Sequence, residues 1–284
     1  MSTASEQRAE SAAYAGVAAE LYDTLRGADP LPGEYDFYCQ HLSAVPGPHL
    51  EVGAGTGRIL LRLLADGFQV EGLESSADML RICRQKADLK GLAPVLHHQR
   101  MEEMALPTRY GSIFVPLVTL SLLDGPAALE SALTRFHYHL RPGGQLLFST
   151  VGNLGPQPGA PWWPTREAAL NGSMVRVSQE SSWEPGDAVA IERFTFESVG
   201  DPPTLLWVQE LKLRAWSARQ VTELLTRRGF ERIKVMSGHL GGHLAGEDAI
   251  LVFRARTAPA VRQDLGPGRS VHGRMAGQEK KERG

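Results

Sequence analysis

The sequence predicts an α/β fold: a mainly parallel seven-stranded sheet with flanking helices and a small antiparallel β insertion after the fifth strand. Three observations carry this. Between residues 48 and 150, short apolar runs alternate with helix-period stretches. A glycine-rich loop, Gly53-Ala54-Gly55-Thr56-Gly57, joins the first such run to the first helical stretch. After residue 152 the pattern changes to the two-residue period of half-buried strands.

Taken in order, residues 49–52 read as a buried strand and residues 58–66 as a helix closed by Gly67. Residues 68–73 form a second strand, and residues 77–89 a second helix ended near Gly91. Third and fourth strands follow at 95–98 and 112–118. Residues 126–140 make a helix with Leu129, Leu133, Phe136 and Leu140 on one face. Arg141-Pro142-Gly143-Gly144 then turns the chain into a fifth strand at 145–150. Residues 152–164 are Pro/Gly-rich and carry Trp162 and Trp163. Three strand-like segments come next, at 173–183, 188–197 and 205–214, with Leu205, Trp207, Leu211 and Leu213 expected on one face. Residues 217–228 form a helix with a Ser217/Gln220 capping box, and two strands close the sheet at 231–236 and 249–255.

The chain thus divides into an N-terminal helical lid (1–47), a main domain (48–255) with a substrate cap inserted at about 152–215, and a polar tail (256–284) expected to be disordered. The chain has 284 residues, 42% of them hydrophobic, which suffices for one α/β domain with an appendage. Net charge is -2, with both signs mixed, so the basic face of a nucleic-acid binder is not expected. The two cysteines, Cys39 and Cys83, lie in no metal-ligand or redox spacing. The first residues do not read as a signal peptide and no run is long enough to span a bilayer, so a cytoplasmic protein without a membrane partner is expected.

Glycines let a loop turn tightly and approach a ligand closely, and the loop lies at the carboxyl edge of the predicted sheet. A dinucleotide fingerprint needs glycine where Arg58 stands, and Glu51 would face a pyrophosphate unfavourably. Glu51 suits a ligand with an ammonium group instead.

The segment Glu51-Val52-Gly53-Ala54-Gly55-Thr56-Gly57 resembles the first motif of the class I S-adenosylmethionine (SAM)-dependent methyltransferases, over roughly residues 49–255. The likeness continues through residues 67–80, where Glu74 takes the place of the acid that binds both ribose hydroxyls and Ser75 and Met79 open the next helix. The resemblance implies a Rossmann-like sheet, SAM as cofactor, and methyl transfer to a small-molecule acceptor by in-line displacement. It implies a cofactor site of Tyr22, Glu51, Gly53, Ala54, Gly55, Gly57, Arg58, Glu74, Ser75, Met79, Arg100, Met101, Glu102 and Val118. The family often carries Asp at the end of its third strand, where this chain has Arg100, so either the Met101 N–H or Glu102 reads the adenine. Tyr22-Asp23 resembles the Tyr-Asp with which some members close over the cofactor.

Loops after parallel strands lie over the cofactor. Thr119, Trp162 and Trp163 are the acceptor candidates, with packing of the inserted sheet as the alternative for the tryptophans. His239, in a glycine-flanked loop after the sixth strand, is the candidate general base, against the alternative of a plain surface histidine. No metal is expected. A non-catalytic SAM-binding module and a dinucleotide-dependent oxidoreductase are the competing functions.

Overall fold

Strand β4 (Tyr110–Val115) is buried at every position, so both of its faces meet apolar layers. The computed structural model describes residues 14–152, 165–184, 186, 188–237 and 250–260. In it β4 sits at the centre of a seven-stranded sheet ordered β10-β11-β5-β4-β1-β2-β3. These strands are β1 (His49–Val52), β2 (Val70–Glu74), β3 (Leu96–His98), β5 (Leu140–Val151), β10 (Phe230–Ser237) and β11 (Ile250–Thr257). β1 to β5 pair in parallel, whereas β11 runs antiparallel to both β5 and β10.

Alternation along the strands sorts the core into two layers. Ile113, Val115, Leu146, Phe148 and Phe253 face one side, against α6 (Gly125–His139) and α7 (Ala218–Arg227). Phe114, Leu147 and Val252 face the other, against α3 (Glu34–Ser43), α4 (Leu60–Ala65) and α5 (Ala77–Leu89). Residues 14–47 therefore have two parts. Their α3 packs on the sheet through Tyr35, Tyr38 and Leu42, while α1 (Gly16–Glu20) and α2 (Tyr22–Arg26) lie under the inserted sheet.

The insertion is a four-stranded antiparallel sheet ordered β6-β7-β8-β9. Besides β7 (Ser173–Glu184), β8 (Val189–Ser198) and β9 (Leu205–Arg214), it contains β6 (Arg166–Leu170), which the sequence reading did not identify. The segment Arg-Glu-Ala-Ala-Leu is made of helix formers, and pairing with β7 overrides that preference. One expected face is also corrected: Leu205 is 59% exposed. A register shift between Phe196 and Glu197 takes it out of line with Trp207 and Leu211. β4 stops at Val115, short of the expected 118, because Pro116 follows and Leu117 and Val118 adopt positive φ. Among the described residues no helix is long and apolar enough to cross a membrane. The expected tail lies, beyond residue 260, outside the described residues.

Gly111 enters β4 against the turn that precedes β1. A Cβ there would lie 2.0 Å from the Pro46 carbonyl oxygen, a backbone atom that cannot rotate away. Gly111→Ala is expected to destabilise the protein by at least about 1–3 kcal/mol. A urea titration should show a lower midpoint, whereas Gly200→Ala, where the nearest atom would lie at 3.9 Å, should leave the midpoint unchanged.

Candidate active site

The loop after β1 turns on three glycines with positive φ, Gly53, Gly55 and Gly57, each held for a different reason. A Cβ on Gly53 would meet Thr119 Cγ2 at 2.7 Å, and one on Gly57 would meet Cys83 Sγ at 2.6 Å and Leu61 Cγ at 2.8 Å. A Cβ on Gly55 would meet nothing within 4 Å, since it would point into open space. Gly53 thus admits the turn after β4, Gly57 admits α5 against α4, and Gly55 opens a cavity.

That cavity is lined by Gly53, Gly55, Glu74, Ser75, Met79, Arg100, Met101, Glu102, Thr119 and Tyr22, all named from the sequence. Tyr14, Leu73, Gln99, Leu122 and Leu123 complete the wall and were not named. Glu74 stands at the end of β2, where the Gly55 N–H donates to its Oε2 and the Ser76 N–H to its Oε1, each at 2.9 Å. Both carboxylate oxygens keep lone pairs for further donors. Arg100 donates through Nε to Glu102 Oε1 at 2.7 Å and pairs with it again through Nη2, so the two side chains neutralise each other beside the cavity.

Five expected residues do not reach this wall. Val118, φ 52°, is the turn that brings Thr119 to Gly53, and its N–H donates to Ser149 Oγ. Ala54 packs in the core and Gly57 is consumed by helix packing. Arg58 forms a two-pronged ion pair with Glu34, the side chains 8% and 0% exposed. Glu51 is 2% exposed and lies beneath the loop; its Oε2 has no hydrogen-bond partner among the described residues. Burial drives the Glu51 carboxyl well above its usual range, with Glu34 and Glu74 adding to the rise and Arg58 opposing it. Trp162, Trp163 and His239 lie outside the described residues. His139 is buried in α6, where Leu106 N–H donates to its Nε2 at 3.0 Å, a structural role.

The helices α1 and α2 are pinned to the loop and to α5. Thr56 Oγ1 and Lys86 Nζ both donate to Asp23 at 2.6 Å, and the Gly16 N–H donates to Asp78 at 2.8 Å. Ser76 Oγ donates to the Tyr14 carbonyl at 2.5 Å. This places Tyr14 and Tyr22 edge to face, centroids 5.0 Å apart. Burial, then the neighbouring Tyr14, pushes the Tyr22 phenol far above its ordinary value, so it stays protonated. A second cavity opens between these helices and the cap sheet, lined by Leu25, Arg26, Arg166, Gln179, Phe194 and Phe196 among others. Tyr14 and Tyr22 line both cavities and form the partition where they meet. The sequence reading missed this second cavity because its residues come from segments up to 195 positions apart, from Tyr14 to Gln209.

Residues 50–144 match the model of a family described as a methyltransferase domain. Among curated proteins, the dTDP-3-amino-3,6-dideoxy-alpha-D-glucopyranose N,N-dimethyltransferase of Streptomyces fradiae is 35% identical over 161 residues, 53% of this chain and 55% of that one. A ubiquinone biosynthesis O-methyltransferase of Sodalis glossinidius is 29% identical over 155 residues, 52% of this chain and 60% of that one. The chain thus spans a little over half the length of these relatives. Among solved structures, the sugar N-methyltransferase KedS8 of Streptoalloteichus superposes with a TM-score of 0.69 at 18% identity, covering 91% of this chain and 99% of that one. The CcbJ methyltransferase of Streptomyces caelestis gives 0.65 at 24% identity, covering 84% and 96%. These likenesses establish the fold.

The geometry separates a structural Arg58 from a ligand-binding one. Arg58→Met leaves the buried Glu34 uncompensated and is expected to cost about 3–5 kcal/mol in chemical denaturation. Arg58→Met with Glu34→Met should recover most of that loss, an outcome a purely ligand-binding arginine would not give.

Proposed function

We propose that this chain, a class I methyltransferase by its fold and by its domain at residues 50–144, binds SAM in the loop cavity and methylates a small acceptor held under the cap sheet. The observation that carries this reading is the meeting of the two cavities at Tyr14 and Tyr22, which gives cofactor and acceptor adjoining compartments.

The residues present suit SAM on three counts. Gly55 leaves space beside a backbone N–H. Glu74, steadied by two backbone amides, offers both oxygens to a pair of vicinal hydroxyls. Glu51, beneath the loop, is a buried carboxyl whose Oε2 has no hydrogen-bond partner among the described residues, and a cation bound above the loop favours its charged form. When bound, SAM supplies an electrophilic methyl group on a sulfonium sulfur. The chain's own part is alignment and exclusion of water: the Tyr14–Tyr22 partition and the apolar wall of Phe194, Phe196 and Leu25 confine the acceptor.

For the acceptor we propose an amino sugar, and for the product its N-methyl derivative. The names of the Streptomyces fradiae and Streptoalloteichus proteins support this class. A recess enclosed between short helices and a cap sheet suits a small molecule better than a nucleic-acid strand. Cys39 and Cys83 are free thiols, in keeping with a cytoplasmic enzyme.

Incubation with SAM and dTDP-3-amino-3,6-dideoxy-α-D-glucopyranose should release S-adenosylhomocysteine (SAH) only when both are present. Glu74→Ala should weaken SAM binding at least about tenfold by calorimetry, through loss of a charge-assisted acceptor. Gly55→Val should abolish binding while the fold survives. Unchanged SAM affinity in both variants, or tight binding of a nicotinamide dinucleotide, would overturn the cofactor assignment.

A further inference from the structure

The cap sheet turns one face toward α1 and α2, and its register lays that face out in rows. Val177, Phe196 and Trp207 make an apolar row. Gln179, Phe194 and Gln209 make the next, and Ser181, Glu192 and Leu211 the one beyond. The face that should bury only apolar side chains thus carries a patch of polar ones. Glu192 is 3% exposed.

These polar groups are joined in one direction. Gln179 Nε2 and Ser181 Oγ both donate to Glu192 Oε2. A carboxylate only accepts, so it selects the amide nitrogen of Gln179 and turns the amide oxygen the other way. That oxygen, Gln179 Oε1, is buried and has no hydrogen-bond partner among the described residues. Gln179 also lines the cap cavity, between Phe194 and Gln209 in the register. A buried amide carbonyl without a donor is a costly arrangement for packing alone. It becomes favourable when a ligand in the cavity supplies the donor.

We infer that Gln179 is a specificity-determining residue of the cap cavity: its Oε1 accepts a hydrogen bond from a hydroxyl or ammonium group of the acceptor, and Glu192 is the positioning residue that fixes the amide. This rests on the cap cavity being the acceptor site. It explains why a charged residue is kept on this face of the cap sheet, and it gives the cavity a preference for ligands with a donor at one defined place. A hydrophobic analogue of the same shape leaves Oε1 desolvated and unpaired, and is rejected on that account.

The test uses the full chain saturated with SAH and calorimetry with dTDP-3-amino-3,6-dideoxy-α-D-glucopyranose. Three analogues, each lacking the 2-hydroxyl, the 4-hydroxyl or the 3-amine, complete the set. Wild type is expected to bind one analogue on the order of tenfold more weakly than the parent. Gln179→Leu should lose about the same factor for the parent and should no longer distinguish that analogue, a non-additivity that a merely structural role does not produce. Glu192→Gln, whose amide oxygen still accepts from Gln179, should stay within about threefold of wild type, while Glu192→Leu should behave like Gln179→Leu. If Gln179→Leu melts below wild type, Gln179→Met carries the same comparison. Equal discrimination by wild type and by a folded Gln179 variant with unchanged SAH affinity overturns the inference alone. A wild type that binds SAH but none of the four sugars overturns the amino-sugar reading and this inference with it.

Discussion

Beneath the glycine loop lies a charge arrangement on which the site depends: two buried carboxylates, Glu34 and Glu51, share the neighbourhood of one guanidinium, Arg58. Arg58 is committed to Glu34 by two hydrogen bonds. That bond joins the loop to α3, and so to the apolar layer of Tyr38, Phe114 and Leu147 on one side of the sheet. Glu51 is left with a buried, unpartnered oxygen directly ahead of the loop. Removing one member of such a set strands a charge in a low-dielectric interior, so the loop's shape and the seat of α3 are set together.

The partition above the loop follows from the same economy of contacts. Helices of five residues such as α1 and α2 have little intrinsic stability. They are ordered by tertiary bonds instead: Asp23 to Thr56 and Lys86, Gly16 to Asp78, and Tyr14 to Ser76. Gly16, at φ 52°, lets the Trp207 ring lie where a Cβ would be 3.1 Å away, which joins α1 to the cap sheet. One short segment thereby links the glycine loop, α5 and the cap sheet. The two tyrosines it carries face both compartments.

Local features of the sequence were legible, and long-range ones were not. The glycine loop, Glu74 at the end of its strand and the capping box at Ser217 are each written within a few residues, because turn geometry and capping chemistry act locally. The resemblance implied Arg58 in the cofactor site, whereas the structure pairs it with Glu34, 24 positions away in α3. β6 was missed because its residues favour a helix, and Leu205 was put on the wrong face because a register shift interrupts strict alternation. The cap cavity was invisible for the same reason: Gln179 and Glu192, 13 residues apart, become neighbours only when β7 pairs with β8.

We propose that SAM, bound above the glycine loop, brings its positive charge near the Glu51 carboxyl that lies beneath the loop. Glu51 sits well above the usual carboxylate range, and a cation placed beside it lowers its pKa. Binding of SAM should therefore release protons, and affinity should strengthen as pH rises. Calorimetric titration of SAM in two buffers of different ionisation enthalpy reads this directly. The account predicts net proton release that disappears in Glu51→Gln; proton uptake, or no exchange in wild type across pH 5–8, would contradict it.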